Sequence, residues 1–402
     1  MQFGIISSHS FSSLTKVPIK RWDPLSNVPI ILQDNGQNIV LSKIYGHYSY
    51  ISPVRKKRKF TIEKKNEGND VFKAILGGKP LKDEEGHLIS DGFGIIICNG
   101  TKKMDTPFSI IPKRYTNIQG KAITLINRYP AMARWIEANI YEYITNNLPS
   151  HSKLAYGVNL VTISKEYYDS MEFEKIPDDV ISAVFQSMNV AINYVVEEAN
   201  KKGIYSIPVS PFFNIGRIVG GSQSRFHSQV YIDLNEDGHG ARLEMHLKAF
   251  EQMKKKKCHL CRSDHGGGAR LVLKTNHWTF FVTGSPLRNY HLRFYPNVHI
   301  ERLDELNIES FDDMAHGLKI IWQALNDMNV DRNRNIILNL KPYGYRKADF
   351  HLFGDIIPYE FVGGAEMADD MRVARMLPEN IAKNLRKIIQ KKYLFSNSKS
   401  KL

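Results

Sequence analysis

Apolar residues recur with two different periods along the chain, and the two periods predict a mixture of helices and strands. Helical spacing runs from about Asp178 to Lys201, between Pro177 and Gly203, which are residue types typical of a helix start and a helix end. Alternation with a period of two, as in residues 229–234, predicts strands. By the same criteria we expect further strands at residues 94–98, 122–127, 154–163, 209–214, 270–274, 278–283, 291–296, 336–340 and 348–355. We expect further helices at residues 131–145, 241–257 and 310–328.

The order of these elements in the first part of the chain is repeated in the second part. Each part has strand, turn, strand, long helix, strand, turn and then a strand that carries a histidine, His227 or His351. Laying the two copies together matches residues 160–163 with 293–296 and residues 226–228 with 350–352. This order predicts an internal duplication. We expect one half at residues 1–250, with an N-terminal extension inside 1–115, and the other at residues 251–402.

Length and composition indicate a globular protein with a large core. The chain has 402 residues, of which 42% are hydrophobic, enough for two or more domains. No apolar run reaches the roughly 18 residues that span a bilayer, and the first residues lack the apolar core of a signal peptide. Three cysteines in this length do not indicate a disulfide framework. We therefore expect a cytoplasmic protein without a membrane partner.

The charge of the chain predicts anionic partners. The formal net charge is +14, with basic runs at residues 55–59 and 254–257. A positive balance favours nucleotides and sugar phosphates as well as nucleic acid. Charge alone does not choose between these classes, and a lysine-rich run is often only a solvated face.

A glycine-bearing turn at residues 214–222 precedes His227 and has the composition of a phosphate cradle. Glycine permits backbone N–H groups to approach a phosphate closely, and Gly220 and Gly221 are the adjacent pair. Ser222 and Gln229 add neutral hydrogen-bonding groups for phosphoryl oxygens. A histidine in this setting can attack phosphorus. The alternative is a glycine-rich hairpin with a structural histidine.

A second constellation lies in the second half and predicts a metal site. Cys258 and Cys261 form a C-x-x-C pair, which supplies two corners of a zinc tetrahedron. His299 and His351 can supply the other two, and Asp349 competes for the fourth position. The first half has no cysteine pair, and it has Glu166 opposite His299 and Arg225 opposite Asp349. Such a joint absence is expected if those residues of the second half bind one metal. The alternative is a pair of buried thiols or a redox pair.

Motifs spread over most of the chain match one known family. They are S-P-x-R-x-x-R at residues 52–58, a strand-end asparagine at 127, N-x-G-x-x-x-G-x-S at 214–222, H-x-Q at 227–229, H-W at 277–278, P-x-x-H at 296–299 and, with one change, G-Y-E-M at 364–367. In these residues the chain resembles the galactose-1-phosphate uridylyltransferase family, the nucleotidylyltransferase branch of the histidine triad superfamily. The resemblance implies an α+β fold of two tandem histidine-triad-like halves with a joined antiparallel sheet and flanking helices. It also implies a homodimer.

The resemblance further implies roles for single residues. His227 falls on the family's nucleophile, and Gln229 and Ser222 fall on residues that hold the transferred phosphoryl group. Glu366 falls on the residue that faces the hexose, in the family often across the dimer interface. The substrate contacts implied for the nucleotide and its phosphates are Arg55, Arg58, Asn127, Asn214, Gly220 and Gly221.

Two departures from the family pattern affect the expected acceptor and the first metal site. The family's H-P-H is Arg225-Phe226-His227 here, so a histidine that is a zinc ligand in many members is replaced by arginine. The tyrosine before the sugar glutamate is Ala365. The acceptor sugar is therefore left open.

The activity implied by the resemblance is nucleotidylyl transfer in carbohydrate metabolism, such as that of galactose. A nucleoside monophosphate, with UMP implied, passes between a nucleotide sugar and a hexose 1-phosphate through a nucleotidyl-histidine. One alternative is a phosphorylase or hydrolase of nucleotide sugars or dinucleoside polyphosphates. Another is a non-catalytic relative that binds nucleic acid. The positive net charge suggests this alternative, but the motifs favour it least.

Overall fold

A computed structural model describes most of the chain. The described residues are 4–21, 27–34, 37–46, 49–57, 72, 94–98, 101–104, 121–235, 241–252, 258–347, 349–369 and 372–394. For residues 27–34, 37–46, 56–57, 94–98, 101–104, 241 and 393–394, only the backbone is described. Arg58 and the basic run at 254–257 lie outside the described residues.

Eighteen strands and seven α-helices are formed by the described residues. The strands are β1 Ile5–Ile6, β2 Ile19–Arg21, β3 Asn27–Asp34, β4 Gln37–Gly46, β5 Ser49–Ile51, β6 Gly94–Cys98, β7 Thr101–Met104, β8 Ala122–Ile126, β9 Trp135–Ile136, β10 Ser152–Leu154, β11 Gly157–Ser164, β12 Val209–Ile215, β13 His227–Asp233, β14 Leu271–Lys274, β15 Trp278–Val282, β16 Leu292–Pro296, β17 Arg334–Asn339 and β18 Phe353–Pro358. The helices are α1 Ala138–Asn146, α2 Asp178–Lys201, α3 Ala241–Gln252, α4 His259–Arg262, α5 Ile308–Asp327, α6 Gly364–Asp369 and α7 Pro378–Ile389.

An antiparallel sheet of 11 strands forms the centre of the fold, in the order β14-β15-β16-β18-β17-β12-β13-β11-β8-β6-β7. Strands β12 and β17 pair in the middle, with Phe213 opposite Ile336. Outward from this pair, one side runs β13, β11, β8 and the other runs β18, β16, β15. The two sides therefore have the same strand order, as an internal duplication predicts. The α+β class and the joined sheet are confirmed.

Helices α2 and α5 cover one face of this sheet and make the main core. The apolar side of α2 includes Val184, Met188 and Ile192, each fully buried, at helical spacing. Strand β11 is buried at every position, since helices cover one of its faces and further chain covers the other. At the start of α2, Asp178 binds His316 and Lys319 of α5 at 2.8 and 2.9 Å. The two long helices thus hold the halves together on this face.

Several element boundaries differ from the sequence expectation. Residues 131–145 form a short strand and then α1, which begins only at Ala138. Helix α5 begins at Ile308, because Asn307 caps it by accepting a hydrogen bond from the Ser310 N–H. His351 precedes β18 and is not part of a strand.

The alignment of the two halves also shifts by one residue. In the sheet, Leu160 pairs with Val230, and Phe294 pairs with Gly354. If His227 corresponds to His351, then Val230 corresponds to Gly354 and Leu160 to Phe294. The expected match of residues 160–163 with 293–296 was therefore wrong by one position. The expected boundary between halves, near residue 250, falls inside α3, and the division itself stays a prediction.

Candidate active site

His227 is the first residue of β13 and is nearly buried, with 4% of its surface exposed. Its Nδ1 lies 2.7 Å from the main-chain oxygen of Arg225. A carbonyl oxygen can only accept a hydrogen bond, so Nδ1 carries the proton and Nε2 carries the ring's lone pair. The ring of Phe72 lies 6.2 Å from the His227 ring, between centroids. The setting therefore fixes one tautomer of a histidine sheltered from water.

Gln229 and Tyr231 lie on the same face of β13 as His227, because side chains alternate along a strand. Gln229 is 4% exposed. Arg55 donates from Nη1 to the Tyr231 hydroxyl at 2.6 Å, so Arg55 lies beside this face. Four residues of strand separate Tyr231 from His227 by roughly 13 Å. Tyr231 was missed by the sequence analysis, although its position two residues after Gln229 was the available signal.

Asn127 is joined to the same group through the neighbouring strand. Its backbone N–H donates to the Asn159 carbonyl at 2.8 Å, and Asn159 pairs with Tyr231 across β11 and β13. The Asn127 Oδ1 accepts from the Tyr129 N–H at 2.9 Å, which forms a tight turn. Ser52 in turn donates to the Pro130 carbonyl at 2.7 Å. The turns that carry Asn127 and Arg55 are therefore fastened to each other.

The glycine turn follows β12 and is held closely against it. Pairing of β12 with β13 sets Phe212 opposite Gln229, and the same register continued by two residues sets Asn214 beside His227. Gly221 donates to the Gly216 carbonyl at 3.0 Å. A Cβ at Gly221 would lie 2.6 Å from the carbonyl oxygens of both Asn214 and Gly216, so only glycine fits there. The turn is thus folded back over the end of β12.

A residue of the second half braces this turn. The side-chain nitrogen of Asn335 donates to Asn214 Oδ1 at 2.8 Å and to the Val219 carbonyl at 3.2 Å. Asn335 lies in β17, opposite Asn214. No sequence pattern pointed to this contact, since the motif match covered only the first-half turn. The central strand pair therefore links the two halves at the candidate site.

A buried ion pair lies at the far end of the same strand face. The Nζ atom of Lys20 lies 2.7 Å from Asp233 Oδ2, and both side chains are fully buried. The Tyr50 hydroxyl donates to the same oxygen at 2.5 Å. Burial lowers the pKa of Lys20, although Asp233 opposes the shift. Burial also lowers the pKa of Lys153 to about 8, and the nearby Lys20 adds to this effect.

The four residues expected to bind a metal lie together in the second half. One ligand atom from each of Cys258, Cys261, His299 and His351 lies within 4.8 Å of the others. The Nδ1 of His351 lies 3.5 Å from both sulfur atoms, and the Nδ1 of His299 lies 3.3 Å from the Cys261 sulfur. The group contains His351, not Asp349. Two thiols and two imidazoles are the donor set that tetrahedral zinc prefers.

The orientation of His351 also fits a metal ligand. Its Nε2 lies 3.0 Å from the Pro296 carbonyl oxygen, so Nε2 carries the proton and the lone pair is on Nδ1, which faces the sulfur atoms. Burial lowers the pKa of His351 to about 4, so the ring is neutral near pH 7. A backbone carbonyl that orients a ligand histidine is a usual outer contact of metal sites. The described residues therefore fit a zinc ion.

Glu366 lies in α6, after the last strand of the second half. Its Oε1 accepts from Arg288 at 2.5 Å and also contacts Arg372. Each of these three side chains is at most about one-fifth exposed, with Glu366 at 14%. The carboxylate expected to face a hexose is therefore paired with two arginines of its own chain.

Comparison with solved structures identifies the fold. A uridylyltransferase is 22% identical with a TM-score of 0.56, covering 74% of this chain and 99% of its own. A GalT-like protein from Arabidopsis thaliana is 20% identical with a TM-score of 0.54, covering 68% of this chain and 86% of its own. An ADP-glucose phosphorylase from Arabidopsis thaliana, solved with ADP-glucose bound, is 19% identical with a TM-score of 0.54, covering 68% and 83%.

Neither a protein-family model nor a curated protein matches the chain. At such identities, similarity between structures concerns the fold. No helix in the described part of the chain is long and apolar enough to cross a membrane. The family resemblance seen in the motifs is confirmed at this level: the chain has the fold of the solved uridylyltransferase and GalT-like structures.

Proposed function

We propose that the chain is a nucleotidylyltransferase whose nucleophile is His227. The observation that carries the proposal is the 2.7 Å contact between His227 Nδ1 and the Arg225 carbonyl, which leaves the lone pair on Nε2. A neutral ring nitrogen is what a histidine nucleophile requires. The similarity of fold to a uridylyltransferase and an ADP-glucose phosphorylase supports this class of reaction.

In the first half-reaction, His227 Nε2 attacks the α-phosphorus of a nucleoside diphosphate sugar. A nitrogen–phosphorus bond forms, the bond from that phosphorus to the bridging oxygen breaks, and the sugar 1-phosphate leaves with the electron pair. The proton stays on Nδ1, where the Arg225 carbonyl stabilises the positive charge of the substituted ring. In the second half-reaction, a hexose 1-phosphate attacks the nucleotidyl-histidine and releases a new nucleotide sugar. One site thus serves both steps.

The remaining first-half residues have supporting roles in this proposal. Gln229 and Ser222 hold the non-bridging oxygens of the transferred phosphoryl group. Gly220 and Gly221 shape the turn beside them, because their backbone N–H groups donate to the Arg217 and Gly216 carbonyls. The guanidinium of Arg55, fixed by Tyr231, pairs with a phosphate of the nucleotide. The nucleoside contacts are assigned to Asn127 and Asn214, with Arg58 as a second phosphate contact from the sequence motif. UMP is the nucleotide we propose.

Zinc bound by Cys258, Cys261, His299 and His351 has a structural role in this proposal. When bound, it would cross-link three segments of the second half, since the ligands come from before β14, after β16 and before β18. We also propose that the two halves are residues 1–250 and 251–402, and that the chain acts in the cytoplasm as a homodimer. Light scattering of the purified protein tests the dimer.

A second candidate function is a phosphorylase, in which inorganic phosphate is the acceptor. The observation that favours it is the pairing of Glu366 with Arg288 and Arg372. Two arginines against one carboxylate leave a net positive charge at this place, which suits an anionic acceptor such as phosphate. Acceptors offered to the nucleotidyl-enzyme, namely hexose 1-phosphates, phosphate and water, separate the two functions.

The experiment that tests the proposal is intact-mass measurement after incubation with UDP-, ADP- and GDP-sugars. We expect the mass of one nucleoside monophosphate to appear on the wild-type chain and not on His227→Gly. Release of the adduct by a hexose 1-phosphate identifies a transferase, and release by phosphate identifies a phosphorylase. No adduct with any nucleotide sugar, together with nucleic-acid binding that weakens steeply with salt, would instead support the non-catalytic alternative.

A further inference from the structure

The side chain of Arg225 is buried beside the candidate nucleophile and makes an unusual set of contacts. Its Nη1 lies 2.7, 3.1 and 2.9 Å from the carbonyl oxygens of Ser164, Lys165 and Glu166. The guanidinium lies over the ring of Tyr167, 5.3 Å from its centroid. Arg225 is only 5% exposed. One buried guanidinium therefore binds three successive backbone carbonyl groups.

The corresponding place in the second half is the metal group. Ile163 pairs with His227, and Phe294 pairs with Gly354, so residue 297 corresponds to Ile163 when His351 corresponds to His227. Residues 164–166 then correspond to 298–300, the segment that contains His299. The carbonyl groups that Arg225 binds thus belong to the segment equivalent to the one that carries the metal ligand His299.

Among the described residues of the first half, no cluster of histidine, cysteine and carboxylate side chains could hold a metal. The only cysteine outside the C-x-x-C pair is Cys98, and the residues that correspond to His299 and its neighbours contribute backbone carbonyls to Arg225 instead. A buried cation is tolerated where hydrogen bonds and a stacked ring compensate for lost hydration. Arg225 has both kinds of compensation.

We propose that the Arg225 guanidinium takes the place of a metal ion in the first half and positions His227. Arg225 makes both contacts: its side chain binds the carbonyls of residues 164–166, and its own carbonyl accepts a hydrogen bond from His227 Nδ1. Fixing the side chain fixes the carbonyl, and the carbonyl selects the tautomer with the lone pair on Nε2. Arg225 is therefore a positioning residue, and its effect on turnover rests on the proposed function of His227.

The test compares Arg225→Ala with a matched control, Arg386→Ala. Arg386 in α7 also gathers carbonyls of a nearby segment, with Nη1 3.0 Å from Ala269 and in contact with Leu271, but it belongs to the second half. Nitrogen NMR of histidine-labelled protein reports the tautomer of His227, and guanidinium chloride at low millimolar concentration is added to replace the lost side chain. Metal content is measured for each variant.

We expect the His227 signal of Arg225→Ala to lose its single tautomer and guanidinium to restore it, with Arg386→Ala unchanged at His227. Nucleotidyl-enzyme formation should fall by about 10- to 100-fold, the size of effect seen when outer contacts of metal ligands are lost. All variants should keep one zinc per chain. If Arg225→Ala does not fold, Arg225→Lys keeps the charge but not the planar fork, and it should show an intermediate mixture of tautomers.

An unchanged His227 tautomer in both Arg225 variants would overturn the proposal, and so would a second zinc in the wild-type chain. The NMR readout needs no substrate. A restored tautomer without any adduct would therefore refute the proposed activity while leaving the role of Arg225 intact.

Discussion

His227 and His351 hold backbone carbonyls through opposite ring nitrogens. His227 is bound at Nδ1 by the Arg225 carbonyl at 2.7 Å, and His351 is bound at Nε2 by the Pro296 carbonyl at 3.0 Å. The lone pair is therefore on Nε2 in the first half and on Nδ1, facing Cys258 and Cys261, in the second. Two histidines that correspond between the halves, one at the start of β13 and one just before β18, therefore present different ring nitrogens for chemistry.

The first prediction is that replacing His227 by glycine affects catalysis, whereas replacing His351 by glycine affects metal binding and stability. His227→Gly should abolish nucleotidyl-enzyme formation and keep nucleotide binding, because only the attacking nitrogen is lost. An azole or imidazole nucleotide derivative should restore the second half-reaction. His351→Gly should lower metal content and stability, with adduct still formed by the folded fraction. Intact mass and metal analysis check both, and full turnover by His227→Gly with its loss in folded His351→Gly would reverse the assignment.

A second prediction concerns the metal group. Cys258→Ser should remove most of the bound zinc and lower the Tm by at least about 5 °C, because the ion joins three segments. The control is Cys98→Ser, which should leave the zinc content unchanged. Metal analysis and thermal unfolding with and without chelator provide the measurement. Wild-type protein that holds no zinc after mild purification and gains no stability from added zinc would contradict the expectation.

Arg55 provides a third prediction. Arg55→Ala should raise the KM for the nucleotide sugar by roughly tenfold or more, since a charge-assisted hydrogen bond contributes about 1.5–3 kcal/mol. Tyr231→Phe should have a smaller effect of the same kind, because it removes the hydroxyl that fixes the guanidinium. Replacement of the exposed Arg346 by alanine is the control for net charge. An Arg55→Ala enzyme with unchanged KM and weakened nucleic-acid retention would favour a binding function.

The sequence predicted the parts of the fold that depend on local pattern. The bounds of α2 agree with the expectation at both ends, because Pro177 and Gly203 act on the adjacent backbone. The start of α5 was wrong because Asn307 caps the helix before the serine does. His351 was assigned to a strand because Phe350 and Leu352 alternate with polar residues, whereas tertiary contacts with Pro296 and the cysteines hold it outside.

Contacts between distant segments could not be predicted in this way. Lys20 and Asp233 approach only because β2, which pairs with β5, comes to lie against β13, where Tyr50 of β5 binds the same carboxylate. Asn335 braces the glycine turn only because β12 and β17 pair. The motif match did find Arg55 and Asn127 together, but it gave no reason for their proximity, which lies in Tyr231 and Asn159.

The Lys20–Asp233 pair gives a fourth prediction. Lys20→Met should destabilise the protein by about 3–5 kcal/mol, because it leaves a buried carboxylate without its cation. The double variant Lys20→Met with Asp233→Leu should be closer to wild type, since it leaves no buried charge. Chemical denaturation measures the free energy of unfolding of each variant. Equal losses in the single and double variants would show that packing and the hydrogen bonds from Tyr50 and Asn235 to Asp233, not charge, dominate there.

The last prediction is a loss of stability in mild acid. Burial lowers the pKa of His246 to about 4, and the nearby Arg293 and Arg242 add to this effect while Asp355 opposes it. Burial also lowers the pKa of His265 to about 4. The unfolded chain takes up these protons near pH 6.5, whereas the folded chain takes them up only near pH 4. Between these values the unfolded state binds more protons, so the free energy of unfolding falls as the pH falls.

Stability should therefore be fully present above about pH 6.5 and decline towards pH 4, by on the order of 3 kcal/mol or less for each histidine. His246→Phe keeps a ring against Phe353, whose centroid lies 5.1 Å away, and removes the titrating nitrogens. This variant should show a shallower decline than wild type, whereas His9→Gln at an exposed position should not. Denaturant unfolding at a series of pH values measures the slope. A wild-type stability that is flat from pH 7 to pH 4.5 would mean that these rings keep water or a partner when charged.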